Sequence, residues 1–161
     1  MDHIDIKKAK LTGGLFLEAT YKVKNLAEKT SKEITETNDS PVHDDLKNAF
    51  KELHKHLPIL CDYVKATKIK HEKFSQAQPD HDWVVEFEVT GFTVSGSDEH
   101  EGTVLIGNKS LKEGKQVNLV TPFVKFSDDD FYQFGSELAS DIEACIYEVK
   151  EYLFNGKKAP K

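Results

Sequence analysis

Along residues 15–24, Leu15, Leu17, Ala19, Tyr21 and Val23 alternate with Phe16, Glu18, Thr20, Lys22 and Lys24, the period of a strand with one buried face. Thr12-Gly13-Gly14 precedes this run and supplies a turn, because glycine accepts positive φ at no steric cost. The strand before it changes parity: Ile4 and Ile6 share one face, Ala9 and Leu11 the other, which predicts a bulge near Lys7-Lys8. Residues 31–37 predict a short polar edge strand.

A helical stripe follows: Leu46, Ala49, Phe50, Leu53, Leu57, Cys61 and Val64 recur at steps of three and four. Ser40-Pro41 predicts its cap and first turn, with Asp44 and Asp45 at the positive end of the helix dipole. Pro58 predicts a kink or a split, since it removes a donor and crowds the preceding turn. Residues 66–81 read as a polar connection. Trp83, Val85, Phe87 and Val89 then alternate with polar or outward positions, and Thr103–Ile106 and Val117–Val120 are further strands, with Pro122–Phe126 extending the last. Gly107-Asn108 and Glu113-Gly114 mark turns. Ser127-Asp128-Asp129-Asp130 predicts the start of a second helix, whose apolar face is Phe131, Phe134, Leu138, Ile142, Cys145, Val149 and Tyr152.

Strands then a helix, twice, read as a duplicated unit. Asp44, Asp45, Phe50, Cys61 and Tyr63 match Asp128, Asp129, Phe134, Cys145 and Tyr147 at an offset of 84, and Leu11-Thr12-Gly13 matches Val89-Thr90-Gly91 at 78. The expected fold is α+β: two repeats, residues 1–65 and 82–154, joined by 66–81 and followed by a flexible tail at 155–161, with both helices on one face of antiparallel sheet. One such unit buries too little alone, so the two share a core in a single domain.

At 161 residues, 38% apolar, the chain can bury that core. No apolar run reaches the roughly 18–20 residues of a membrane span, and the N-terminus lacks the layout of a secretory signal. The reading is a soluble, cytoplasmic protein. Cys61 and Cys145 fall on apolar stripes and are expected as free, structural thiols.

All 22 basic residues are lysine. The missing arginine argues against sequence-specific DNA reading and against an arginine-finger enzyme. Residues 1–70 hold 13 Lys and 11 acids, whereas residues 71–161 hold 9 Lys and 17 acids, so a polyanion would prefer the first half.

No motif points to catalysis. His54 and His56, two apart on a helix, cannot share a metal, and His71, Pro79-Asp80-His81-Asp82 and His100 fit no ligand spacing, so neither a metal nor a cofactor is expected. The three aspartates at 128–130 are better read as a cap than as catalytic carboxylates, and Asp98–Glu101 lacks the spacing of a calcium loop. Phosphate loops and nucleophile elbows are absent from the sequence.

One constellation remains. Lys8 and Lys10 share a parity, and Lys22, Lys24, Phe16 and Thr20 lie opposite the apolar face of the hairpin. Lysines interleaved with an aromatic on an open sheet suit single-stranded DNA or RNA, charge tracking the backbone while a ring stacks a base. Lysines in such places also guard sheets against unwanted pairing. The tandem of strands and helix with an exposed lysine sheet resembles the Whirly and Pur-alpha group of single-strand binders and the positive-cofactor-type coactivators. That resemblance implies a non-enzymatic nucleic-acid binder, and it departs where Glu86 and Glu88 stand in for Lys8 and Lys10. Val89-Thr90-Gly91-Phe92 and Leu119-Val120-Thr121-Pro122-Phe123 resemble segments of small phage-encoded proteins. The other reading is a protein-interaction or self-association module whose acidic second half meets a basic partner.

Overall fold

The computed structural model describes residues 2–25, 27–96, 98–128 and 130–160. β1 (Asp2–Thr12), β2 (Phe16–Asn25) and β3 (Thr30–Thr37) form a meander, followed by α1 (Asp44–Leu53), α2 (His56–Leu60) and the short α3 (His71–Ser75). β4 (Phe87–Ser95), β5 (Gly102–Ser110) and β6 (Gln116–Val120) form a second meander, with the two-residue β7 (Val124–Lys125) and then α4 (Gly135–Asn155). All strands pair antiparallel in the order β3-β2-β1-β4-β5-β6, with β7 on β5. This is the expected α+β class. Helices cover one face of one sheet, and among the described residues no helix is long and apolar enough to cross a membrane.

The symmetry of the sheet is set by two bulges. One falls between Ile6 and Lys8 where β1 pairs β2, the other between Val89 and Gly91 where β4 pairs β5. The offset of 83 that carries Lys7 onto Thr90 also carries Ala9 onto Phe92, and these two pair with each other at the centre of the β1–β4 junction. The junction is short, with Lys8↔Thr93 and Lys10↔Gly91 flanking that central pair. Offsets of 78 and 84 do not describe the structure. Leu11-Thr12-Gly13 ends β1 and enters the turn, where Gly13 and Gly14 have φ of 61° and 70°, whereas Val89-Thr90-Gly91 is a bulge inside β4. In the helices the buried stripe Leu46, Phe50, Leu53, Leu57 recurs as Leu138, Ile142, Cys145, Val149, an offset of 92. Cys145 sits on that stripe in the middle of α4, so it does not occupy the same helical position as Cys61. Cys61 only caps α2 and is half-buried, while Cys145 is buried; both are free thiols.

Several boundaries differ from the sequence reading for physical reasons. Helix α1 starts at Asp44, capped by His43, whose Nδ1 accepts from the Asp45 N–H at 3.0 Å. Ser40 instead gives its carbonyl to the Tyr152 hydroxyl at 2.6 Å. The break near Pro58 comes at His54-Lys55, between α1 and α2. In the connection, Phe74 is fully buried and stacks on Phe134 with ring centroids 4.0 Å apart, so that segment contributes to the core. Residues 81–87 are held in successive turns, which reverses the expected parity: Val84 is buried and Val85 exposed. Gly107 lies inside β5, not at a turn, whereas Glu113 and Gly114 do turn, with φ of 64° and 77°. Pro122 has no N–H with which to extend β6, and Thr121 Oγ1 accepts the Leu105 N–H at 3.0 Å, so the chain leaves the ladder and returns as β7.

The aspartate run does not start α4. Asp128 accepts from the Phe131 N–H in a local turn, Phe131 is exposed, and Tyr132 and Phe134 enter the core before the helix begins at Gly135. Asp129 of that run, like Ser97 of the acidic loop, lies outside the described residues. Residues 156–160 dock on the segment that leads into α1: Lys157 reaches Asp45 at 2.8 Å and Glu148 at 2.7 Å, Lys158 pairs with Val42, and the Ala159 N–H donates to the Pro41 carbonyl.

Candidate nucleic-acid interface

With helices on one side, the alternation along β1 and β2 decides what the other side presents. Ile6, Ala9 and Leu11 of β1 and Leu17, Ala19 and Tyr21 of β2 turn toward the helices and are buried. Lys8, Lys10, Lys22, Lys24, Thr20 and Phe16 therefore share the helix-free face. Their register places Lys24 opposite His3, Lys22 opposite Asp5, Lys8 opposite Thr20 and Lys10 opposite Glu18. The four lysines run diagonally from β2 onto β1, and Phe16 stands at the far end of β2, opposite Thr12 and 36% exposed. The structure thus brings the five sequence-predicted residues onto one surface.

Acids are interleaved among them. Lys24 pairs with Asp5 at 3.3 Å, and His3 reaches the same carboxylate at 2.9 Å. Burial alone would raise the Asp5 pKa, but the hydrogen bonds from Lys24 and His3 outweigh it and hold the carboxyl below its ordinary value. Glu33 of β3 is opposite Lys22. Even so, Lys8, Lys10 and Lys22 make no ion pair among the described residues.

The second half of the face is different in kind. Matching the bulge at Thr90 to the one at Lys7 sets Gly91 and Thr93, not Glu86 and Glu88, in the places that correspond to Lys8 and Lys10. Glu86 precedes β4 and pairs with Lys109 at 3.0 Å. Beside Thr93 and Gly91 the face continues through Val104 and Ile106 to Val120, which is 65% exposed. Lysines cross the first half; in the second, Gly91, Thr93, Val104 and Ile106 lie beside them, and Glu88, Asn108 and Asn118 form a polar row farther along the same face.

Sequence reasoning missed one buried polar group. His56 has no exposed surface; its Nδ1 lies 2.6 Å from the Tyr132 hydroxyl and its Nε2 2.8 Å from Asp141. The phenol donates to Nδ1 and Nε2–H donates to the carboxylate, an arrangement that uses the neutral imidazole. Burial lowers the His56 pKa against the opposing pull of Asp141, and burial likewise raises the Tyr132 phenol. The partners are 76 and 85 residues away, so no local spacing announces them. A cleft of about 820 Å³ opens beside Tyr132 between Leu60, Lys65, Phe131 and Gln133. With its histidine shielded from that cleft, the network ties α2 to α4. Elsewhere His71 meets Glu137, His81 accepts from the Gln78 N–H, and His100 lies by Lys125. Among the described residues no three His, Cys, Asp or Glu gather as metal ligands.

No protein-family model, curated protein or solved structure matches the chain.

Proposed function

We propose that this protein binds single-stranded nucleic acid, DNA or RNA, without catalysis, on the helix-free face of β1 and β2. The observation that carries the reading is the diagonal of Lys24, Lys22, Lys8 and Lys10 on the helix-free sheet face, the last three making no ion pair among the described residues. Steps of two residues advance roughly 7 Å along a strand, so the track spans about 20 Å. Phe16 offers one stacking ring at its end, and the flat floor of Gly91, Thr93 and Val104 leaves room beside it. The lysines act as point charges on phosphates and give little sequence preference. The common strand order and paired bulges support an origin of the two halves by internal duplication, and a cytoplasmic setting, host cytoplasm for a phage-encoded chain, accords with the reading.

Fluorescence anisotropy with labelled oligonucleotides tests it. Binding should weaken steeply with salt, each phosphate contact contributing a slope of about 0.7 on a log–log plot. Changing the four lysines to glutamate should abolish it with the fold intact. Phe16→Ala should cost about 1–3 kcal/mol of affinity. A protein that associates with no oligonucleotide at low salt leaves the second reading, an interaction module for a basic protein partner. That reading is favoured by Asp5, Glu18 and Glu33 among the lysines and by the net charge of −6.

A further inference from the structure

The sheet ends in two different edges. β3 is polar and carries Lys32, Glu33 and Glu36, charges of the kind that discourage pairing with another chain. β6, Gln-Val-Asn-Leu-Val over 116–120, has no charge, no glycine and no proline. Val117 and Val120 are exposed at 38% and 65%, and Leu111 and Phe123 are exposed beside them. We infer that β6 is a self-association edge, pairing antiparallel with β6 of a second copy so that one sheet runs through both.

Hydrogen-bond parity fixes the register. The Leu111 N–H donates to the Lys115 carbonyl and the Thr121 N–H to the Leu105 carbonyl, so the ladder to β5 uses Lys115, Val117, Leu119 and Thr121. Gln116, Asn118 and Val120 consequently direct their N–H and C=O groups outward. A two-fold axis at Asn118 sets Gln116 against Val120 of the second copy, Asn118 against Asn118, and Val117 against Leu119. The outward backbone groups then meet as three residue pairs, each exchanging two hydrogen bonds. On the helix side apolar Val117 meets apolar Leu119; on the other, two asparagine amides meet at the axis. Pro122 ends the pairing and excludes a longer, slipped register. The strand is thus complementary to itself, as an isologous contact requires, and no like charges oppose each other within it. Nothing in this pairing depends on what the helix-free face binds.

Sedimentation of the full chain over micromolar concentrations, without nucleic acid, should show a concentration-dependent dimer. Asn118→Pro removes an N–H that the protomer does not use, and should weaken dimerisation at least tenfold with an unchanged circular dichroism spectrum. Glu33→Pro, at the equivalent outward position of β3, should leave the dimer intact. Should Asn118→Pro fail to fold, crosslinking decides. With Cys61 changed to serine, Asn118→Cys places two thiols across the axis at about 5.5 Å between Cα atoms, within disulfide reach. Val117→Cys sets its own copies beyond the roughly 7 Å limit. Oxidation should therefore crosslink the first and not the second. A wild type that stays monomeric, a dimer indifferent to a folded Asn118→Pro, or equal crosslinking of both cysteine variants would overturn the inference.

Discussion

Opposite the residue that precedes each bulge, the first half of the sheet carries Tyr21 and the second half carries Gly107. Tyr21 is buried; its hydroxyl donates to Glu36 at 2.9 Å and its ring meets Phe154 of α4 edge-on at 5.3 Å. Burial first, then the Glu36 carboxylate, pushes its phenol up to about 12. At Gly107 there is no side chain, and Leu57 of α2 fills the space: an added Cβ would come to 2.9 Å from Leu57 Cδ2 and collide with the Glu88 carbonyl oxygen. One framework therefore accommodates two helix heights. The broken helix of the first half settles onto the second half of the sheet, where the residue is smallest, while the end of the long α4 rests on a tyrosine.

The sharpest way to break this comparison is Gly107→Val. If α2 depends on the missing side chain, overpacking against Leu57 and the Glu88 backbone should cost about 3 kcal/mol of stability in urea unfolding. A loss below about 1 kcal/mol would mean that α2 rides over the sheet without using the gap.

A smaller effect distinguishes the helices by pH. The broken helix holds His54 and His56, and α4 holds no histidine. Burial first, then the nearby Lys51 charge, lowers His54 to about 4 from an ordinary 6.5, against a hydrogen bond to the Val89 backbone; His56 shifts the same way. Between those values the unfolded chain takes up protons that the folded chain refuses, so stability should fall as pH drops from 6.5 toward 4 and stay level above 6.5. The His54 contribution is on the order of 2 kcal/mol, read as the difference in unfolding free energy at the two ends of the interval. His54→Gln should flatten much of that slope. A slope unchanged in this variant would assign the effect to His56 or to the carboxylates.

Much of this architecture was legible because period-two alternation and the Gly13-Gly14 turn are local signals, as is the proline break in the first helix. The lysine face was legible for the same reason: parity alone put Lys8, Lys10, Lys22, Lys24 and Phe16 on one side. What misled was also local. The shared Thr-Gly of residues 12–13 and 90–91 suggests an offset of 78 that sets Glu86 and Glu88 on the lysines, but the first falls at a turn and the second at a bulge inside β4. Asp128 reads as a helix cap because its side chain does accept a backbone N–H, but from a turn that precedes α4. His56, Phe74 and Tyr132 could not be assigned because their partners are brought together only by the packing of α2, α3 and α4.

The finest contrast between the halves concerns one ion pair in each. In the first half Asp5 holds Lys24 on the helix-free face at 3.3 Å; in the second, Glu86 holds Lys109 at 3.0 Å, where the ammonium lies over the Tyr63 and Phe87 rings. Partly exposed pairs of this kind contribute about 0.2–1 kcal/mol, so Asp5→Asn and Glu86→Gln should each change stability by less than about 1 kcal/mol in urea unfolding. Their effects on ligand binding should diverge. Asp5→Asn removes an acid from beside Lys22 and releases Lys24, and oligonucleotide affinity at low salt should rise about two- to fivefold, less than 1 kcal/mol. Glu86→Gln makes the same change in net charge away from the track and should leave affinity nearly constant. Because the two variants carry equal net charge, a general loss of repulsion would raise both affinities alike; only a contact surface confined to β1 and β2 separates them.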